Sequence, residues 1–197
     1  MYDMSLLSRK TLFQLQAERI VKLQRLAARY ASRKESDVII PFYILVCLNN
    51  EQTHNYFAEN NYFGLRADQI YLFDQDSLPC FSLDGKILLE TKSSLAMAPN
   101  GNGDVYQALE RSGCLKDMRQ RGVKYVHSFS VDNVLVKVAD PIFIAFCAKR
   151  NADFGTKVIP KRDPHERVGV FALKNDRFHV VEYSEISKEM AEQRDPH

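Results

Sequence analysis

Pro41 to Leu48 reads PFYILVCL, a run of strand length with no charged side chain and no alternation between apolar and polar positions. Continuous apolar character over so short a run describes a strand covered on both faces, the situation of an interior strand in a parallel sheet. Asn49-Asn50-Glu51 then opens a helical stretch to about Asn60, and Ile70 to Phe73 is a further apolar run. Strand, helix, strand is the order that parallel pairing through a crossover helix requires. Tyr125 to Val131, inside KYVHSFSV, is rich in β-branched and aromatic residues without Gly or Pro, and is expected as a third interior strand. The chain is therefore expected to be one α/β domain with a mostly parallel central sheet.

Around that frame the spacing predicts a long helix from an N-cap at Ser8 to about Arg33, with Leu12, Leu15, Ile20, Leu23 and Leu26 on its apolar side. Phe81 to Leu89 reads as an inserted β-hairpin turning on Asp84-Gly85, the type I′ signal. Helices follow from Val105 and over Lys116 to Arg121. Another starts at Asp140-Pro141, where Asp140 caps and Pro141 gives up no needed hydrogen bond. Thr156–Pro160, Val168–Leu173 and Arg177–Tyr183 read as strands, the last two joined by the turn Lys174-Asn175-Asp176, and Ser187–Arg194 as a final helix.

The 197 residues carry a formal net charge of +2, too small by itself to imply a nucleic-acid or membrane partner. No apolar run approaches the roughly 20 residues that span a bilayer, and the N-terminus lacks the layout of a signal peptide. Cys47, Cys80, Cys114 and Cys147 form no CxxC pair, and Cys47 and Cys147 sit in apolar segments, which suits buried, reduced thiols and a cytoplasmic or nuclear location. The histidines show no metal-ligand spacing such as HExxH.

In open α/β sheets, ligands bind beyond the carboxyl ends of the strands. Asp132 follows the Tyr125–Val131 run, and a carboxylate there either starts a turn or holds a metal or the phosphate side of a ligand. Pro99-Asn100-Gly101-Asn102-Gly103, directly before a helix, offers backbone N–H groups and close approach, or is a plain turn. It is neither a P-loop nor a dinucleotide fingerprint. Gln75, after a predicted strand, has the donor and acceptor that a pyrimidine imide edge pairs with, or is a solvated loop glutamine. Glu182 can accept from sugar hydroxyls or is a strand-end carboxylate facing water, and Gly169 marks close approach to a strand or only a bulge.

MAPNGNG, SVDNVLVKVADP, GTKVIPK and VGVFALKNDRFHVVEYSEIS, with SRKTLFQLQAERI and LPCFSLDGKILLE before and between them, resemble the eukaryotic UDP-N-acetylglucosamine (UDP-N-acetylhexosamine) pyrophosphorylases over nearly the whole chain. The resemblance implies a Rossmann-like nucleotidyltransferase fold. It also implies a uridylyltransferase that makes UDP-N-acetylglucosamine and pyrophosphate from UTP and N-acetylglucosamine 1-phosphate with Mg²⁺. Carried over by residue, it puts Gln75 and Gly101 on the uracil, Asn102 on the sugar, Asp132 on the metal and nucleotide phosphates, and Gly169 and Glu182 on the N-acetylhexosamine.

Two features depart from the family pattern: Asp74 and Asp76 flank Gln75, and Asp104 stands where a glycine is common. Carboxylates near a triphosphate repel it unless a cation screens them. The family's glycine-rich triphosphate loop matches nothing in residues 1–197, and neither do its segments beyond the YSEIS motif, so the chain is expected to be an incomplete, central part of the catalytic domain. The alternatives are a non-catalytic nucleotide-sugar-binding paralogue or fragment, and a uridylyltransferase for another sugar 1-phosphate.

Overall fold

The computed structural model describes residues 5–47 and 50–193. Helix α1 covers Leu12–Tyr30 and buries Gln16, Ala17, Ile20 and Ala28. Its N-cap is Thr11, whose hydroxyl accepts from the Gln14 N–H at 3.4 Å, and not Ser8. Arg9 takes a left-handed φ of 51°, which interrupts helical backbone between Ser8 and Leu12. Strand β1 (Phe42–Val46) leads to helix α2 (Asn50–Glu59) and then to β2 (Ile70–Asp74). The two strands pair in parallel, with Phe42 opposite Ile70 and Val46 opposite Asp74.

Both faces of β1 are covered, as its unbroken apolar run requires. Phe42, Ile44 and Val46 pack with Ala17, Ile20, Phe57, Leu65 and Val138. On the opposite face Tyr43 and Leu45 pack against the cluster of Phe73, Ala108 and Cys114, which brings in helices α3 (Val105–Arg111) and α4 (Cys114–Gln120). Helices on both sides of a parallel pair make this part α/β. Gln69 is fully buried yet satisfied: its amide donates to Gln24 Oε1 at 2.8 Å and to the Ile40 carbonyl at 2.9 Å, and accepts from the Arg66 N–H.

A polar cluster ties α4 to the sheet. Tyr43 and Tyr71, stacked with ring centroids 5.0 Å apart, donate to the two oxygens of Asp117 at 2.5 and 3.0 Å. Arg121 donates to Asp117 at 2.9 Å and sits over the Tyr71 ring. Desolvation opposes the charge on Asp117, but the hydrogen bonds from Tyr43, Tyr71 and Arg121 outweigh it and hold its carboxyl below the ordinary carboxylate value. Burial, and then the Asp117 charge, push the Tyr43 hydroxyl up.

Between β2 and α3 the chain makes an antiparallel excursion, as expected for an insertion. Strand β3 (Ser77–Pro79) pairs with β4 (Met97–Pro99), and the bridges Phe81–Ile87 and Leu89–Leu95 lie between them. The turn at Asp84-Gly85 is not type I′, because Gly85 (φ 81°) is left-handed and Asp84 is not. The Gly85 N–H bonds to the Ser82 carbonyl and the Ser82 N–H to the Lys86 carbonyl, so three residues form the loop and the left-handed glycine closes it.

Tyr125–Val131 does not form the third strand. It runs without regular structure, with Tyr125 and Val126 exposed, and among the described residues no strand pairs with it. The parallel sheet therefore has two strands here, and the other two pairs are antiparallel. A strand exists only through a neighbour's hydrogen bonds; this one is held by side chains instead, the Gln16 amide donating to the Val131 carbonyl at 3.1 Å. Further along, Asp140 caps helix α5 (Pro141–Lys149) as expected, its Oδ1 accepting from the Ile142 N–H at 3.1 Å.

The chain divides into two units, Met1–Ala148 and Lys149–His197. The second contains the antiparallel pair β5 (Val170–Lys174) and β6 (Arg177–Val181), and helix α6 (Lys188–Glu192) capped by Ser187. Asn175 and Asp176 both take left-handed φ, so the type I′ turn occurs here. Thr156–Pro160, expected as a strand, is exposed and irregular. All four cysteines are free thiols, but Cys47 is exposed, because β1 ends at Val46 and leaves it on the rim. Among the described residues no helix is long and apolar enough to cross a membrane.

Candidate functional site

Parallel pairing sets β1 and β2 side by side with the same polarity, so the residues just past their carboxyl ends, Cys47 and Gln75, are neighbours. The Gln75 N–H extends the ladder to the Val46 carbonyl at 2.9 Å. Its side chain lies between two groups: Nε2 donates to the Gly101 carbonyl, and Oε1 accepts from the Cys47 thiol at 3.1 Å. Gly101 has φ +91°, a conformation that L side chains rarely adopt, and nothing lies within 4 Å of where its Cβ would stand. Gln75, Gly101 and the adjoining Asn102 are thus brought together at the carboxyl ends of the parallel strands, where α/β sheets bind ligands.

Asp104 holds this corner together. Its buried carboxylate accepts from the Asp76 N–H at 2.7 Å and from the Asn100 amide at 3.3 Å, joining the loop after β2 to the loop before α3. The Asn100 N–H returns a bond to the Asp76 carbonyl at 2.8 Å. Arg111, on the helix that Asp104 opens, pairs with Asp76 at 2.6 Å and with Asp104 at 3.6 Å. One arginine therefore faces two of the three carboxylates expected to repel a nucleotide, and Asp104 is turned inward as a brace. Arg111 and Cys47 were not expected at the site. Arg111 stands two helical turns from Asp104, a spacing that puts both on one face. Cys47 gives no local signal beyond its place after an interior strand.

Asp132 is exposed in a turn, and among the described residues it has no hydrogen-bond or ion-pair partner. Its neighbour Val131 and Asn102 border one open, mostly apolar groove of about 1080 Å³ in the first unit, whose walls include Gln16 and Ile20 of α1, Ile44 of β1 and Ile144 of α5. Among the described residues no group of three or more His, Cys, Asp or Glu gathers as a metal site. In the second unit Gly169 and Glu182 form their own pair: a Cβ on Gly169 would lie 3.2 Å from Val180 Cγ1 and 3.5 Å from Glu182 Oε1. The missing side chain gives the exposed Glu182 carboxylate its room.

An amide edge beside a glycine-built loop and an arginine-screened acidic corner can recognise a planar heterocycle, and the exposed Asp132 carboxylate can hold a hydrated cation. The model of the UTP–glucose-1-phosphate uridylyltransferase family matches residues 3–196. The chain is 47% identical over its full length to the UDP-N-acetylhexosamine pyrophosphorylase-like protein 1 of Xenopus tropicalis, covering 38% of that protein. It is 44% identical to the UDP-N-acetylglucosamine pyrophosphorylase of Saccharomyces cerevisiae, over 98% of this chain and 40% of that one. The crystal structure of the Trypanosoma brucei uridine diphosphate N-acetylglucosamine pyrophosphorylase, in complex with an inhibitor, superimposes with a TM-score of 0.87 at 34% identity, over 100% of this chain and 39% of that one. The chain thus spans about two fifths of the length of these relatives. With the family model matching all but a few residues, and with the α/β nucleotidyltransferase fold and a likeness to UDP-N-acetylhexosamine and UDP-N-acetylglucosamine pyrophosphorylases running through the whole of it, the chain belongs to the UTP–glucose-1-phosphate uridylyltransferase family.

Proposed function

We propose that residues 1–197 are the central part of the catalytic domain of a uridylyltransferase that forms UDP-N-acetylglucosamine and pyrophosphate from UTP and N-acetylglucosamine 1-phosphate. The observation that carries the reading is the meeting of Gln75, Gly101 and Asn102 at the carboxyl ends of β1 and β2 in a chain of this family. Gln75 and Gly101 take the uracil and Asn102 reaches the sugar. Gly169 clears space beside Glu182, which accepts from hydroxyls of the N-acetylhexosamine.

The reaction is an attack by a sugar-phosphate oxygen on the α-phosphorus of UTP, with pyrophosphate leaving. Such chemistry depends on positioning and charge neutralisation more than on a strong base. Asp132 suits Mg²⁺: its carboxylate is exposed and uncommitted, and a hard cation that keeps several waters needs only one or two protein carboxylates. When bound, Mg²⁺ supplies neutralisation of the phosphate charge. Asp132 orients the phosphate end while Gln75 and Gly101 fix the uracil and Asn102 the sugar, which holds the reacting groups in line. The four free thiols suit a reducing, cytoplasmic location.

The test is a chimera in which residues 1–197 replace the matching segment of the S. cerevisiae pyrophosphorylase, assayed for pyrophosphate release with Mg²⁺. Turnover is expected, and Asp132→Ala should lower it more than about 100-fold, the scale of losing a group that stabilises developing charge. The isolated chain should bind UDP-N-acetylhexosamine weakly and turn nothing over. An inactive chimera that still binds the nucleotide sugar would favour a non-catalytic binding role. Robust release by the isolated chain would mean that the phosphate site is misplaced.

A further inference from the structure

We propose that the Gly101 carbonyl and the Cys47 thiol lock the orientation of the Gln75 amide, and that this lock makes Gln75 select uracil over cytosine. The inference rests on the reading of Gln75 as the pyrimidine contact and adds how that contact discriminates. A backbone carbonyl only accepts, so the end of the amide that meets Gly101 is the NH₂ end. The oxygen end therefore faces Cys47, whose S–H is a donor at 3.1 Å. The Gly101 carbonyl is itself fixed, since it also accepts from the Asp104 N–H at 3.2 Å at the start of α3. Cys47 is fixed by the end of β1, one residue beyond its pairing with β2.

Each end of the amide keeps one further position: one N–H on Nε2 and one lone pair on Oε1. Uracil offers a donor at N3 and an acceptor at O4, which this pair of atoms satisfies. Cytosine offers an acceptor at N3 and a donor at its amino group, the reverse pattern. A freely turning glutamine rotates by half a turn and serves either base equally well. A locked one sets acceptor against acceptor and donor against donor when cytosine enters, leaving polar groups unpaired, the strongest source of discrimination between similar ligands. Cys47 is thus a positioning residue that acts through Gln75.

The experiment measures UMP and CMP affinity by titration calorimetry on the 197-residue chain and on Cys47→Ala, Cys47→Ser and Gln75→Ala. The chain as it stands should favour UMP at least about tenfold, on the scale of two hydrogen bonds made or opposed. Cys47→Ala should lower UMP affinity and raise CMP affinity, so that their ratio falls roughly two- to tenfold, while Cys47→Ser, which keeps a donor, should restore it. A merely structural cysteine would weaken both nucleotides alike. If Gln75→Ala erases the preference and Cys47→Ala moves both affinities together or neither, the lock is wrong and the pyrimidine contact stands. If the chain does not bind UMP, or Gln75→Ala leaves UMP affinity unchanged, the pyrimidine contact fails and the lock fails with it.

Discussion

Asp104→Ala tests whether the candidate site is braced from within. The carboxylate is fully buried and accepts a backbone N–H bond from Asp76 at 2.7 Å and a side-chain bond from Asn100 at 3.3 Å. A hydrogen bond to a charged acceptor contributes about 1.5–3 kcal/mol. The Arg111 pair adds less than about 1 kcal/mol, because the arginine is half exposed and the 3.6 Å contact is screened. The 3.3 Å bond from Asn100 is longer than an ordinary N–H···O bond and adds little to the 2.7 Å one, so removing the side chain should cost about 2–4 kcal/mol, or roughly 5–15 °C in melting temperature for a chain of this size. Asp104→Asn keeps an acceptor for the Asp76 N–H and should lose about half of that. Thermal unfolding followed by circular dichroism reads both, and UMP titration should show weaker binding by Asp104→Ala, since the loops carrying Gln75 and Gly101 lose their join. A melting temperature within about 1 °C of the parent chain would refute the brace, whatever happens to binding.

The Tyr43–Tyr71–Asp117–Arg121 cluster gives stability a defined pH dependence. The folded-state value of Asp117 is depressed, so its contribution is present above the unfolded carboxylate value, near pH 4, and is lost as pH falls through the lower folded value. Tyr43 is raised, so its contribution is full below about pH 10 and is lost only as pH climbs through the folded value. Urea titrations should show the gap between the parent and Asp117→Asn narrowing below about pH 4, and a gap that stays constant with pH would count against the assignment. Gly169→Ala must move Val180 Cγ1, 3.2 Å from the new Cβ, by a few tenths of an ångström; it should change stability by less than about 1 kcal/mol. Crowding Glu182, it should raise the KM of the chimera for N-acetylglucosamine 1-phosphate more than that for UTP, and equal changes would argue against a sugar-side role.

What was legible in the sequence is what a residue decides with its near neighbours. The unbroken apolar run of Phe42–Val46 required cover on both faces, Asp140-Pro141 carried its own cap, and the spacing of two apolar runs around Asn175-Asp176 marked a hairpin; the cover, the cap and the hairpin form as read, but among the described residues β1 pairs with β2 alone and is not the interior strand expected. The long motifs also marked Gln75 and Gly101, and the Gln75 amide donates to the Gly101 carbonyl. Tertiary structure decided whatever needs a distant partner. Tyr125–Val131 has the composition of a strand, but composition supplies no neighbouring backbone, and its carbonyl at Val131 goes to Gln16 instead. Asp104 looked like a charge set against a nucleotide, and only the approach of Asp76, Asn100 and Arg111 turns it into a brace. Cys47 read as a core thiol because it follows five apolar strand residues. It is exposed beside Gln75 because the ladder ends at Val46, and the register of two strands, joined through a helix and loops, fixes that end point.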